Sequence, residues 1–332
     1  MSSDAIAPVP LKIAMATYGH TAALKQGIVP IEGVAPEFVE IKPIISAFRR
    51  MVRDVEFDVC EMAPATYMIA RAAGAPFKAL PVFIFRRFHH AGLVVRKDAG
   101  VRSPADLEQK RVGVRGYSVT TGIWTRGILS DDYGVSNDAI TWVVDDEEHV
   151  ASLRLPDNVQ KSPEGSSLVD LIALGYLSAA FTGNAGIGRA GAPKEGWQAN
   201  PSEAAHHYDE LFPDAAEREL EWYRRTGIYP IHGLLVIKDA VLEQHPHVAH
   251  ALFDACVESK NRYLAQLAAG SSDFETDAHY HTMQGIVGAD PLPYGIEANR
   301  PSIDALIRYC FEQHLLPRSF TAEELFINPL DQ

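Results

Sequence analysis

Between residues 83 and 98 the sequence reads FIFRRFHHAGLVVRKD. An apolar run of β type ends in two arginines and two histidines, and Gly92 then opens a second apolar run that stops at a charged turn. We expect two adjacent strands joined by a basic, imidazole-rich bend. Such a bend would place anion-binding and proton-carrying side chains together. The plainer alternative is a solvated strand end followed by loop histidines.

A similar pattern occurs at residues 229–239, which read YPIHGLLVIKD. Here too a histidine and a glycine precede an apolar run that ends in Lys-Asp. One α/β unit therefore runs to about residue 95, a second runs from about 100 to 228, and the chain returns to the first near 230. This order resembles the two-lobed solute-binding fold of type II. We predict an α/β protein with lobe 1 at residues 1–98 plus 236–332, lobe 2 at residues 99–235, and a ligand cleft between the lobes.

The bulk composition limits the class of protein and its partners. The 332 residues are 47% hydrophobic and 22% charged, with a formal net charge of −13, which is typical of a globular protein that does not bind nucleic acid. A few arginines could still form a local site for a small anion. Residues 1–10 contain no basic residue, and no apolar run has the length of a membrane span. We therefore expect a cytoplasmic protein without a membrane partner.

The three cysteines point to the same compartment. Cys60, Cys256 and Cys310 are odd in number, widely spaced and set in apolar surroundings. Buried free thiols in a reducing compartment are the expected arrangement.

Polar loops follow two of the predicted strands and lead into helices. The first follows the strand at residues 11–16, and the second follows the strand at residues 111–115. Ligands of open α/β sheets bind at the carboxyl ends of strands, and helix starts favour anions. The candidates in these loops are Tyr18, His20, Tyr117, Thr120 and Thr121. Glu61 lies at the end of a third predicted strand, among mostly apolar residues. Because burial of an unpaired carboxylate is costly, its carboxyl is either paired with an arginine or functional.

Five stretches together carry a more specific similarity: residues 12–20, 57–68, 85–95, 103–121 and 231–238. In these stretches the chain resembles the 4,5-dihydroxyphthalate decarboxylase family. The resemblance implies a type II periplasmic-binding-protein-like fold in which each lobe is a mixed sheet flanked by helices. It also implies a cytoplasmic carboxy-lyase of phthalate degradation, within aromatic hydrocarbon catabolism. That enzyme would convert 4,5-dihydroxyphthalate to protocatechuate and CO2 without a cofactor.

The implied reaction needs cations for carboxylates, a base for a phenol and a proton donor for a ring carbon. Guanidinium binds carboxylate bidentately, so we expect Arg86 and Arg115 to bind the substrate, with Arg87 as the alternative to Arg86. Alternation along a strand lets only one of that pair face a pocket. The proton carriers are predicted to be His89 first, then His20 and His232, with Glu61 as the carboxylic alternative. The candidates that would hydrogen-bond substrate oxygens are Tyr18, Tyr117, Thr120 and Thr121.

Other classes of function stay open from the sequence. A non-catalytic solute-binding protein for an aromatic or other carboxylate is the main alternative. A relative of thiamine-pyrimidine synthases on the same fold is a second, although the cysteine-rich motif of those enzymes is absent from this sequence. We predict no cofactor and no metal ion, while thirteen histidines leave room for a spatial cluster. The expected partner is a small aromatic dicarboxylate, and homo-oligomerisation is left open.

Overall fold

A computed structural model describes residues 7–188 and 208–329. The chain divides into two compact units. Unit 1 comprises Met1–Arg86, Ile231–Ile303 and Phe320–Gln332, and unit 2 comprises Arg87–Pro230 and Asp304–Ser319.

The described residues form both strands and helices in each unit. The strands are β1 (Val9–Ala14), β2 (Val34–Val39), β3 (Val59–Met62), β4 (Phe77–Arg86), β5 (Leu93–Arg96), β6 (Arg111–Gly113), β7 (Thr141–Val144), β8 (Val159–Lys161), β9 (Ala179–Phe181), β10 (Tyr208–Glu210) and β11 (Ile231–Lys238). The α-helices are α1 (Gly19–Lys25), α2 (Ile45–Asp54), α3 (Pro64–Ala72), α4 (Thr120–Tyr133), α5 (Leu168–Ala173), α6 (Ala215–Thr226), α7 (Asp239–Gln244), α8 (His247–Ala268), α9 (Asp277–Val287), α10 (Arg300–Glu312) and α11 (Ala322–Leu325).

Both sheets mix parallel and antiparallel pairing. The unit 1 sheet has the order β2-β1-β3-β11-β4, with β1 parallel to β2 and β3, and β11 antiparallel to β3 and β4. The unit 2 sheet has the order β10-β5-β9-β6-β7-β8, with β5 antiparallel to both its neighbours and the strands from β9 to β8 parallel. Two mixed sheets with helices confirm the predicted fold class.

The core of unit 1 explains why its central strands are nearly continuous in apolar residues. Leu11 and Ile13 of β1 are buried with Val248, Leu252 and Cys256 of α8. The α8 residues recur at helical spacing and so form one face of the helix. Burial of apolar surface between sheet and helix is the main term that stabilises the unit.

The bend at residues 86–92 is a crossing between the two units, not a hairpin. β4 pairs with β11 in the first sheet, whereas β5 pairs with β9 and β10 in the second. Gly92 accommodates the turn into β5 with a φ of 89°, which side chains with a Cβ rarely adopt. The expectation that the two strands are neighbours is therefore wrong.

The unit boundaries also differ from the predicted lobes. The first crossing lies after Arg86 instead of residue 98, because β5 belongs to the second sheet, and the return lies at Ile231 because all of β11 belongs to the first. The chain also returns to unit 2 at residues 304–319, and the sequence did not predict this second return. This segment belongs to unit 2 because the Tyr309 hydroxyl donates to Asp131 (2.7 Å) and the Gln313 side chain accepts from Arg126 Nε (2.7 Å).

Within residues 7–188 and 208–329, no helix combines the length and the apolar character needed to cross a membrane. Residues 1–6, on which the prediction of a missing leader partly depends, lie outside the described residues. The cytoplasmic location stays a prediction.

Replacing Gly19 by Ala tests the packing of α1 on α8. A Cβ at this position would lie 2.1 Å from Tyr263 Cε2, so we expect the free energy of unfolding to fall by about 1–3 kcal/mol. Gly285→Ala in α9 is the matched control, since a Cβ there meets nothing within 4 Å and should stabilise by up to about 1 kcal/mol. Urea denaturation measures both. Equal effects in the two variants would contradict this description of the packing.

Candidate active site

A buried carboxyl lies at the centre of the unit 1 site. Glu61 belongs to β3 and is only 3% exposed. Its Oε2 accepts a hydrogen bond from the Ala16 backbone N–H (3.0 Å), and its Oε1 lies 2.8 Å from the Tyr18 hydroxyl. Both partners follow β1, which pairs in parallel with β3. The adjacent carboxyl ends of these strands therefore bring the three groups together, and the partners of Glu61 are not the arginine that the sequence offered as one alternative.

Burial sets the protonation of this pair. It raises the pKa of Glu61 from its ordinary value of 4.5 to about 7, although the hydrogen bonds from Ala16 and Tyr18 act in the opposite direction. Burial, reinforced by the neighbouring Glu61 carboxyl, also raises the pKa of Tyr18 well above its usual range. Near neutral pH the carboxyl is thus divided between its two protonation states, which suits a group that gives or takes a proton.

The structure argues against His20 as a proton carrier. The side chain is 1% exposed, and its ring stacks on Tyr18 with centroids 5.4 Å apart and lies 5.9 Å from the Tyr280 ring. Burial lowers the pKa of His20 to about 3, against a smaller opposite effect of the Ile84 carbonyl. The imidazole is therefore neutral near pH 7. Its role in unit 1 is to pack behind Tyr18.

Further rings surround Tyr18, and the sequence did not single them out. Phe85 stacks on Tyr18 (6.4 Å between centroids) and on His279 (5.4 Å), and it meets the predicted residue His232 edge-on at 5.9 Å. Tyr280 also contacts Phe85. We call these residues the aromatic cluster: Tyr18, His20, Phe85, His232, His279 and Tyr280. His279 and Tyr280 lie on α9 without a recognisable motif, so only the fold reveals their place.

Arg86 serves the structure of unit 1. It is 1% exposed, and its guanidinium donates to the Asn299 side-chain oxygen and to Ser302 Oγ (3.3 Å). Asn299 in turn donates to the carbonyls of Pro293 and Gly295. The arginine therefore ties the end of β4 to the segment before α10. Its assignment to substrate binding remains untested, but its polar contacts are already with protein groups.

Arg87, the alternative, belongs to unit 2 and lies beside the predicted threonines. Its Nη2 donates to Thr121 Oγ1 (2.9 Å). Thr121 and Thr120 begin α4 and are buried. Burial lowers the pKa of Arg87 somewhat, and the charge of Glu219 opposes that shift. The structure thus brings Arg87, the alternative to Arg86, into contact with one of the two predicted threonines at a helix start.

Arg115 and Tyr117 are committed to protein contacts within unit 2. Arg115 forms a buried ion pair with Asp146, with 3.4 Å between Nη1 and Oδ2. The Tyr117 ring lies 4.0 Å from the guanidinium carbon of Arg126, a cation–π contact in the core. Tyr117 is 1% exposed. These positions argue against direct substrate contact by either residue.

His89 is buried in unit 2. Its ring stacks on Trp124 with centroids 6.4 Å apart, and its carbonyl accepts from Thr125 Oγ1 (3.0 Å). Its role as the first proton carrier stays a prediction. Across the residues that the structure describes, no group of three or more His, Cys, Asp or Glu side chains is arranged to hold a metal ion.

Comparison with solved structures defines the class of fold. The periplasmic aliphatic sulphonate binding protein SsuA of Escherichia coli matches with a TM-score of 0.52 and 12% identity, over 96% of this chain and 97% of that one. At this identity the match shows the fold alone. The protein is thus built on the periplasmic-binding-protein fold.

Sequence relatives define the family. The family described as "NMT1/THI5 like" matches residues 45–158. A 4,5-dihydroxyphthalate decarboxylase of Comamonas testosteroni is 32% identical over 328 residues, which cover 95% of this chain and 96% of that protein. One of Pseudomonas putida is 36% identical over 177 residues, covering 51% of this chain and 68% of that protein. The chain belongs to the 4,5-dihydroxyphthalate decarboxylase family, as the resemblance in the sequence predicted.

Asn299→Ala tests whether Arg86 is structural. The change removes an acceptor of a buried guanidinium, and we expect the free energy of unfolding to fall by about 2–4 kcal/mol. Arg300→Ala, at the next position, removes exposed ion pairs with Glu297 and Glu323 and should leave the stability close to that of the wild type. Thermal or urea unfolding compares the two. A tolerated Asn299→Ala would show that Arg86 does not depend on this contact.

The raised pKa of Glu61 predicts a pH-dependent loss of stability. A carboxyl whose folded-state pKa lies above its unfolded value stabilises the fold when protonated, below pH 4.5, and this contribution is lost as pH rises through about 7. The stability of the wild type relative to Glu61→Gln should therefore fall by about 3 kcal/mol across that window. Urea unfolding of both proteins at a series of pH values measures the difference. A constant difference would mean that the Glu61 pKa is not raised.

Proposed function

We propose that this protein converts 4,5-dihydroxyphthalate to protocatechuate and CO2. Two findings support the proposal: the membership of the family, and the buried Glu61 carboxyl with a pKa of about 7 beside the Tyr18 hydroxyl. The family membership carries the choice of enzyme over non-catalytic binding protein, and the Glu61–Tyr18 pair supplies groups that could move the proton. A carboxyl buried at that cost to stability is typical of a site that moves protons.

The reaction takes up one proton at a ring carbon. Each carboxylate of the substrate is para to a phenolic hydroxyl, so removal of the phenolic proton pushes electron density onto the carbon that bears the carboxylate. That carbon accepts a proton, the bond to the carboxylate carbon breaks, and its electron pair returns to the ring. CO2 leaves and the ring regains its aromaticity. A base at the phenol and an acid at the ring carbon are therefore both required.

Tyr18 and Glu61 would supply the acid in this scheme. Tyr18 is half-buried while Glu61 is buried behind it. When Glu61 is protonated, its Oε1–H can donate to the Tyr18 oxygen across the 2.8 Å between them, which turns the phenolic hydrogen of Tyr18 towards a substrate. Tyr18 then protonates the ring carbon and recovers its proton from Glu61. The predicted residues His89 and His232 remain candidates for the base.

Glu61→Gln and Tyr18→Phe test this assignment. Each interrupts the relay, so kcat should fall by about 10²–10⁴-fold while the affinity for substrate is largely kept. Glu56→Gln is the matched control, because Glu56 is a partly exposed carboxylate whose pKa is lowered by its pairing with Arg50 and Lys12. The assay follows the release of CO2 and the formation of protocatechuate from 4,5-dihydroxyphthalate.

Two results would contradict the proposal at different levels. Wild-type turnover in both relay variants would remove Tyr18 and Glu61 from the proton transfer. No protocatechuate from the wild type, despite measurable binding of the substrate, would favour a ligand-binding protein without catalysis.

A further inference from the structure

The start of α4 is buried but lacks a side-chain cap. Val119 occupies the N-cap position and offers no acceptor to the N–H groups of the first turn. The hydroxyl of Ser118 is turned away, because it donates to the Glu148 carboxylate. Thr120, Thr121 and Gly122 are all buried. Buried helix ends normally find partners for their N–H groups in side chains, water or ligands.

Two side chains at this helix start have unused polar atoms. Thr120 is 3% exposed, and its Oγ1 has no hydrogen-bond partner among the residues that the structure describes. Among the described residues, Arg87 Nε is likewise buried without a partner, although Nη2 of this arginine donates to Thr121. Buried polar atoms without a partner are rare because they cost free energy. The Thr120 hydroxyl and the Arg87 Nε–H are thus two donors without an acceptor beside a helix N-terminus. Together they indicate a binding site for a hydrogen-bond acceptor.

The charges near the helix start favour an anion as that acceptor. The fully buried Arg126 lies one turn further along α4 and bonds neutral groups, the Gln313 side chain and the Tyr117 carbonyl. The helix dipole adds a partial positive charge. Two carboxylates act against an anion here. The charge of Glu219 acts on Arg87, and Glu148 already accepts hydrogen bonds from the Tyr117 N–H, the Ser118 N–H and the Ser118 hydroxyl.

We propose that Arg87, Thr120, Thr121 and the first turn of α4 form a subsite of unit 2 that binds a carboxylate of an aromatic dicarboxylate. The assignment rests on the proposed function, since the proposed substrate carries two carboxylates on adjacent ring carbons. A guanidinium offers that group two parallel N–H donors, and the Thr120 hydroxyl and helix N–H groups can bind its second oxygen. The subsite would select aromatic 1,2-dicarboxylates over monocarboxylates.

Calorimetric binding of phthalate and of benzoate to the full-length protein tests the subsite. Phthalate carries both carboxylates but no hydroxyl groups, so it is bound without being decarboxylated. Arg87→Ala should weaken phthalate binding by about 30-fold or more and bring its affinity close to that of benzoate. Arg87→Lys should recover little, since lysine lacks the planar fork. Arg225→Ala is the control: it removes the same charge from unit 2 at an exposed ion pair with Asp132 and should leave binding unchanged.

Two valine variants provide a second test in case Arg87→Ala does not fold. Thr120→Val and Thr121→Val keep the shape of the side chain, and each should weaken phthalate binding by about 3- to 10-fold. If Arg87→Ala folds and binds phthalate with wild-type affinity, the proposed subsite is wrong. If Arg87→Ala does not fold, wild-type affinity in the double valine variant shows the same. If the wild type then still forms protocatechuate, only the subsite is wrong. If Arg87→Ala loses phthalate binding but the wild type releases no CO2, the subsite stands and the decarboxylase activity is wrong.

Discussion

The burial of one carboxyl governs the chemistry of unit 1. Glu61 lies on the central strand of a sheet, where an ionised carboxylate is costly. Among the residues that the structure describes, two donors reach its carboxyl, the Ala16 N–H and the Tyr18 hydroxyl. Two donors are too few to hold it fully ionised, so its pKa rises into the neutral range. The same environment holds His20 neutral. Burial thus moves the pKa of Glu61 towards neutrality and that of His20 away from it.

The sequence predicted the framework of the site well. Polar residues placed after apolar runs marked Tyr18, Glu61 and the threonines of α4, and the parallel pairing of β1 with β3 brings Tyr18 and Glu61 together. Their places at strand ends and helix starts could be predicted because these are local features, while their roles stay predictions. The mixed two-sheet fold followed from the order of such elements and is confirmed by the structure.

The failures concern features that depend on distant parts of the chain. The pattern around Arg86 and Arg87 suggested a hairpin, but a sequence pattern does not say which sheet a strand joins. The boundary between the units falls between these two arginines, so Arg86 contacts Asn299 and Ser302 of unit 1 whereas Arg87 contacts Thr121 of unit 2. The assignment of residues 304–319 to unit 2 could not be predicted either, since α10 continues without a break across the boundary between the units. Burial of His20 by rings from α8 and α9 could not be predicted from its neighbours in the chain.

Direct titration of the Glu61 carboxyl tests the central claim most simply. Carbon-13 NMR of protein labelled at the glutamate side-chain carboxyl would identify the Glu61 resonance by its loss in Glu61→Gln. We expect a midpoint near pH 7 for this resonance. A midpoint near the ordinary value of 4.5 would show that Glu61 is a carboxylate at neutral pH and would remove it as the store of the transferred proton.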